Sequence, residues 1–346
     1  MPEHSLKGPA ELVLATSIAR RYYLDGLSKI EIADQFRLSR FKVARLLDAA
    51  RSQGLVRIEI SYPGSVDVEL SARLQETFHL QHAIVVDTHD EDEVALRQQL
   101  GRAAAELLTE IVTPADVLGL AWARSVSAMA TTLQRLPPIP VVQLTGALSR
   151  TTESSSSIDT DSSIDVVRVV ARISGGPAYL FFAPFLVPDP ATARALLQQP
   201  DVARAFGTFS SVTKAVVGVG RWAPAQSTLY EAATERERER LQHQGVRVDM
   251  AGVFLDAEGQ PMPTTLNDRM VAVSAAQLRA IPEVIAIPYG LNKQPAVLAA
   301  LRSGLVDSVV THATLAAALL DSNDPSSRTD DSPSHRDSPA SPQERS

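Results

Sequence analysis

Gly26 to Ile58 reads "GLSKIEIADQFRLSRFKVARLLDAARSQGLVRI". Gly26 ends one helical pattern and Ser28 opens the next. Ser28 and Glu31 together make a capping box, which satisfies free N–H groups at a helix start. Ile32, Ala33 and Phe36 give that short helix its apolar face. Ser39 then caps a third helix that runs to Gly54, a typical C-terminal stop. At about 100° per residue, Val43, Leu46, Leu47 and Ala50 share one side of this helix. Phe41, Arg45, Asp48 and Ser52 fall opposite them, with Lys42 flanking and Arg40 near the edge of the first turn. The apolar side is a core. The other side places an aromatic ring among cations where water is expected.

Two short helices at a tight turn, the second presenting cations outward, suit a helix-turn-helix reader of duplex DNA. Arg and Lys pair with guanine or phosphate, and an apolar side chain can touch a thymine methyl. Ser39 and the open N–H groups at the helix start suit a phosphate. The candidate DNA contacts are therefore Lys29, Ser39, Arg40, Phe41, Lys42 and Arg45. The alternative is a solvated face on a small helical interaction domain. Lys29 is read either as solvated charge or as a phosphate contact.

An earlier helical pattern, with Leu12, Ala15, Ile18, Ala19 and Tyr22 at helical spacing, completes this head. After it "LVRIEISY" (55–62) alternates like a strand. From Ser17 to Arg57 there are nine Lys/Arg against four Asp/Glu, in a chain of 346 residues whose net charge is −7. A basic head on an acidic body implies an anionic partner for the head alone. There are no cysteines, which removes disulfides, thiolate metal sites and cysteine nucleophiles together. No run approaches the roughly 18 apolar residues of a membrane span, and no signal-peptide pattern opens the chain. A cytoplasmic protein without a membrane partner is the simplest expectation.

Beyond Pro63-Gly64 the pattern changes. Short apolar runs ("AIVVD", "VLGLA", "PVVQLT", "AYLFFAP", "AVVGVG", "VIAIP", "SVVT") alternate with helical stretches near 92–112, 125–136, 163–174, 189–198, 228–244, 292–303 and 312–320. Such alternation predicts an α/β fold, a doubly wound and largely parallel sheet with helices on both faces. "RVDM", "GVFLD" and "RMVAVS" read as an antiparallel insertion. "SRTTESSSSIDTDSSID" (149–165) reads as a loop. The Ser/Asp/Pro-rich tail, 322–346, has too little apolar surface to fold. The expected division is 1–62 for the helix-turn-helix, 63–321 for the α/β domain, and the tail.

Ligands of open parallel sheets bind beyond the carboxyl ends of the strands. The residues just past those ends are Trp122, Ala123, Arg124 and Ser125, then Thr145 and Gly146, then Asn292 and Lys293, and finally His312. A helix start beside Arg124 suits an anion. No paired carboxylates and no Ser/His/Asp arrangement are visible. His79 and His82 lie three apart, with nothing nearby to complete a metal set. No catalytic residue, metal or cofactor is expected.

The opening stretch follows G-L-S-x-x-E-I-A-x-x-x-x-x-S-R-x-x-V-x-R-L-L-x-x-A-R-x-x-G-x-V-x-I at almost every fixed position. With "VPDPATARALLQQPDV", "VVGVGRW" and "GLNKQPAVLAALRSGLVDSVVT" further on, the chain resembles the SorC family of bacterial sugar-responsive transcriptional regulators. That resemblance implies a body like sugar-phosphate isomerases, a phosphosugar effector, and homo-oligomers, dimers or tetramers. It implies Lys293 as an effector contact. The family usually has a Gly-rich, Thr-containing turn where "AWARS" stands here, and an Asp where His312 stands. The expected function is effector-controlled binding of operator DNA at a carbohydrate or polyol operon. An isomerase-like enzyme with a DNA-binding head, or a regulator with a degenerate pocket, are the alternatives.

Overall fold

The computed structural model describes residues 8–56, 66–88, 92–148 and 162–323. The chain forms two compact units, Met1–Ser61 and Tyr62–Ser346.

The first unit is built from α1 (Pro9–Tyr23), α2 (Lys29–Phe36) and α3 (Arg40–Ser52). Both arms of the predicted capping box form: the Ser28 N–H donates to the Glu31 carboxylate at 2.8 Å, and the Glu31 N–H donates to Ser28 Oγ at 3.3 Å. A three-residue turn separates α2 from α3. It begins at Arg37, whose φ of 52° is left-handed, and the Leu38 N–H closes it by donating to the Ala33 carbonyl at 2.8 Å. Ala15, Ile18, Ala19, Ile32, Val43, Leu46, Leu47 and Ala50 form one buried cluster. Leu55 and Val56 lie in a bend, and the remainder of the expected strand at 55–62 lies outside the described residues.

The second unit begins with α4 (Val68–Phe78), β1 (His82–Val86), α5 (Glu93–Ile111), β2 (Leu118–Leu120), α6 (Arg124–Thr132) and β3 (Val141–Gln143). It continues through α7 (Ser163–Ser174), β4 (Ala178–Tyr179), α8 (Pro190–Leu197), α9 (Pro200–Gly207), β5 (Lys214–Val217) and β6 (Gly220–Arg221). Next come α10 (Thr228–Ala232), α11 (Glu235–His243), β7 (Val248–Met250), β8 (Val253–Leu255) and α12 (Ala275–Arg279). The unit ends with β9 (Glu283–Ala286), α13 (Gln294–Arg302), β10 (Ser308–His312) and α14 (Ala313–Asn323).

Seven strands make a parallel sheet in the order β1-β10-β9-β5-β2-β3-β4. Side chains of a strand alternate between faces. Accordingly Val85, Ala215, Val217 and Val309 enter one core with Leu74 and Leu315, while Val86, Val216 and Val310 enter the other with Leu100 and Met129. Helices cover both faces, which is why these strands read as unbroken apolar runs.

Several expectations change. The antiparallel sheet is β6-β7-β8, so its third strand is Gly220–Arg221 and not "RMVAVS". "RMVAVS" forms only isolated bridges, Leu186 with Met270 and Thr145 with Ala272. In "AYLFFAP" only Ala178–Tyr179 pairs as a strand. The helix expected over 228–244 breaks at Thr234, whose own capping box with Glu237 starts α11. Of the loop expected at 149–165, residues 149–161 lie outside the described residues, and Ser162 caps α7. Ser322 and Asn323 belong to α14, and the rest of the expected tail lies outside the described residues.

Candidate functional site

In the first unit α3 turns its apolar side inward as its periodicity requires. Phe41 is 81% exposed. Arg40, Arg45, Asp48 and Ser52 are exposed with it, and Lys42 is half-buried. Exposing a whole phenyl ring gives up its burial energy, about 1.5–3 kcal/mol. Ser39 acts as the cap, its Oγ accepting from the Lys42 N–H at 3.2 Å. Lys29 is only half-exposed, and its Nζ lies 5.6 Å from the centre of the Tyr22 ring. The other five candidates gather at the N-terminal half of α3.

In the second unit the chain order reverses between β2 and β5. Strands β3 and β4 follow β2 outward on one side; β5, β9 and β10 run outward on the other. Loops leaving β2 and β5 therefore diverge and open a crevice at their carboxyl ends. A pocket occupies this crevice. Trp122, Ala123, Arg124 and Ser125 enter it from the β2–α6 turn, and Lys293 enters from the start of α13. Thr145, Gly146 and His312 are not in its lining. Thr145 is buried, and its hydroxyl accepts from the Trp122 N–H at 3.2 Å. Gly146 lets the backbone at Pro184–Phe185 approach so closely that an added Cβ would stand 2.6 Å from it. His312 accepts from the Gly290 N–H at 3.1 Å, and burial holds its imidazole below the usual histidine range. These three residues support the loops of the pocket from behind.

The tight "AWARS" turn is accommodated from across the crevice. An added Cβ on Gly218 would stand 2.4 Å from the Ala123 Cβ, so a glycine after β5 gives Ala123 its space. The N-terminus of α6 has no side-chain cap. Arg124 and Lys293 make no ion pair with a described residue; Lys293 Nζ instead sits 4.3 Å from the centre of the Tyr289 ring. Burial lowers the Lys293 ammonium to about 8 against attraction from Glu93 and Asp249, and repulsion by Arg124 and Arg97 adds to the fall.

Sequence reasoning missed the wall opposite these cations. Ser227 and Asp249 line it, with the Ser227 hydroxyl donating to Asp249 Oδ2 at 2.7 Å. Burial raises the Asp249 carboxyl to about 6, although the Ser227 hydroxyl, a Gly252 N–H and Lys293 all pull it down. Ala225 and Ala251, also on this wall, hold left-handed φ angles of 60° and 54°. Two non-glycine residues in such a conformation at one cavity mark a site that stores strain. The available signal was an Asp inside the apolar run "VDMAGVF". Within the sequence it is one position of a strand, and β7 packs it beside the crevice through a contact distant in sequence.

The chain belongs to the sugar-binding domain family, whose pattern matches residues 63–321. It is a transcriptional regulator of the SorC type. It is 26% identical over 314 residues to the sorbitol operon regulator of Klebsiella pneumoniae, covering 90% of this chain and 98% of that one. It is 29% identical over 310 residues to the transcriptional regulator YjhU of Escherichia coli K12, covering 86% and 92%. The crystal structure of full-length SorC from Klebsiella pneumoniae superposes with a TM-score of 0.68 at 24% identity, over 89% of this chain and 98% of that chain, and so shares the fold. No described helix is long and apolar enough to cross a membrane, and no described cluster of His, Asp or Glu suits a metal.

Proposed function

We propose that the outward face of α3 reads operator DNA and that the crevice binds a phosphorylated sugar or polyol that changes operator affinity. Phe41, Lys42 and Arg45, with Ser39 and Arg40 at the helix start, make the groove-reading surface. Lys29, half-covered over Tyr22, serves as a phosphate contact at most. In the crevice, the observation that carries the reading is the convergence of Arg124 and Lys293, two cations without an ion-pair partner among the described residues, beside the uncapped start of α6. Two repelling cations in a partly desolvated pocket are relieved by an anion, and a guanidinium at a helix N-terminus suits phosphate geometry. Asp249 and Ser227 opposite them suit sugar hydroxyls. The name of the sorbitol operon regulator fits control of a carbohydrate or polyol operon; a protein that reads operator DNA acts in the cytoplasm. One helix-turn-helix reads few base pairs, so a symmetric dimer or tetramer on a palindromic site supplies the specificity. The ligand must bind one arrangement of the heads more tightly than another, since equal affinity would switch nothing.

The test is a thermal-shift series on the full chain with hexose, hexitol and pentose phosphates, followed by operator retention with each hit. A ligand of the native state raises the melting temperature. No shift from any compound sinks the phosphosugar claim.

A second reading has one observation behind it. A carboxyl near 6 and an amine near 8 in one pocket are the values that general acid–base chemistry uses. Turnover of a bound sugar phosphate to its isomer would establish that reading. Binding without turnover leaves the regulator.

A further inference from the structure

Two buried side-chain polar atoms among the described residues have no hydrogen-bond partner: Trp122 Nε1 and Gln226 Oε1. Both residues line the same crevice. Buried polar groups are almost always paired, so two orphans in one cavity call for an explanation. The chain's second tryptophan shows the ordinary outcome, with Trp222 Nε1 donating to the Arg238 carbonyl at 3.3 Å. The orphans are also complementary in kind. One is a donor two residues from Arg124. The other is an acceptor on the same loop as Ser227, whose hydroxyl binds Asp249.

We infer that Trp122 and Gln226 are specificity-determining residues for the ligand: the Trp122 indole N–H binds an oxygen of its anionic group, and the Gln226 amide oxygen binds one of its hydroxyls. This rests on the proposed effector pocket and goes further, because it fixes the polarity of the ligand. The anion lies toward Trp122, Arg124 and Lys293. The hydroxyl-bearing body lies toward Gln226, Ser227 and Asp249. A site with buried unpaired groups rejects compounds that leave them unpaired. Inorganic phosphate satisfies only the first half, and a deoxy analogue leaves Gln226 unanswered. Both atoms are screened from water, so pairing them takes a side-chain rotation, and the indole reports it.

The test is calorimetric titration of full-length protein with hexose and hexitol phosphates, matched single-deoxy analogues and inorganic phosphate. Wild type, Trp122→Phe and Gln226→Leu are compared. Trp122→Phe keeps most of the apolar ring and deletes the N–H. The expected result is a loss of affinity on the order of tenfold in each variant. The wild type discriminates against one deoxy analogue, and Gln226→Leu does not. Ligand changes the tryptophan fluorescence of wild type but not of Trp122→Phe. Without ligand, Trp122→Phe melts no lower than wild type, since it removes a donor that was already unpaired. If phosphosugars bind wild type and both variants alike, this inference is overturned and the effector pocket stands. If nothing in the panel binds wild type, the effector reading falls and takes this inference with it.

Discussion

The two units use cations in opposite ways. Around the start of α3, Arg40 and Arg45 stand exposed in water, arranged about a bare Phe41. In the crevice, Lys293 is half-buried against Tyr289, with Arg124 near enough to repel it. Charge on an open helix face costs little to keep and is screened by salt, which suits a long polyanion met through many weak contacts. Charge inside a cleft is costly until a partner arrives, which suits one small anion held tightly. The same residue types thus describe two kinds of partner, and burial separates them.

Substituting Lys293 should break this contrast most severely. Lys293→Met is expected to weaken phosphosugar binding by about ten- to a hundredfold, the worth of a charge-assisted hydrogen bond. It should also raise the melting temperature of the unliganded protein, because a desolvated charge has gone. Paired thermal-shift and calorimetric measurements check both signs. A lower melting temperature would make Lys293 a structural residue.

On the head, Arg45→Ala should lower operator affinity by about tenfold and reduce the salt slope by about one, with ligand binding unchanged. Phe41→Ala should instead relax base preference while leaving the salt slope in place. Fluorescence anisotropy at several salt concentrations separates the two. Operator binding like wild type in both variants would show that this helix face is not the reader.

The pH dependence gives a smaller effect. Lys293 is lowered to about 8. Anion binding needs its charged form, so affinity should hold below pH 8 and fall above it by at most about tenfold per unit. Between about 8 and its ordinary 10.5 the unfolded chain holds a proton that the native lysine has released, so the unliganded protein gains stability as pH rises through that window. Lys293→Met should remove both trends. A flat titration of wild type would mean that the lysine does not meet the anion.

The head was almost wholly legible because its determinants are local. A capping box spans three residues, a helix face repeats every three or four, and the buried set Val43, Leu46, Leu47 and Ala50 follows from that repeat alone. One residue is the exception. Lys29 reads as a free cation, but its chain folds back over Tyr22. In the second unit the helix α4 has no counterpart in the expected pattern, because an Asp67 cap and a stripe ending at Leu74 give only a short apolar signal.

The alternation of strands and helices also determined, by itself, that the body is a parallel α/β sheet, and it pointed to the carboxyl ends of the strands as the place to look for a ligand site. It could not decide which of seven strand ends face one another. That depends on the order in which strands pair, and pairing is set by long-range packing. The order β9-β5-β2 brings Lys293 to Arg124 and leaves Thr145, Gly146 and His312 behind the wall. Asp249, on β7 of the smaller sheet, and Gln226, between β6 and α10, line the same crevice. A short-range pattern fixes what a residue is within its own element. Its partner across a cavity, and the shift in its proton affinity, exist only once the sheet is assembled.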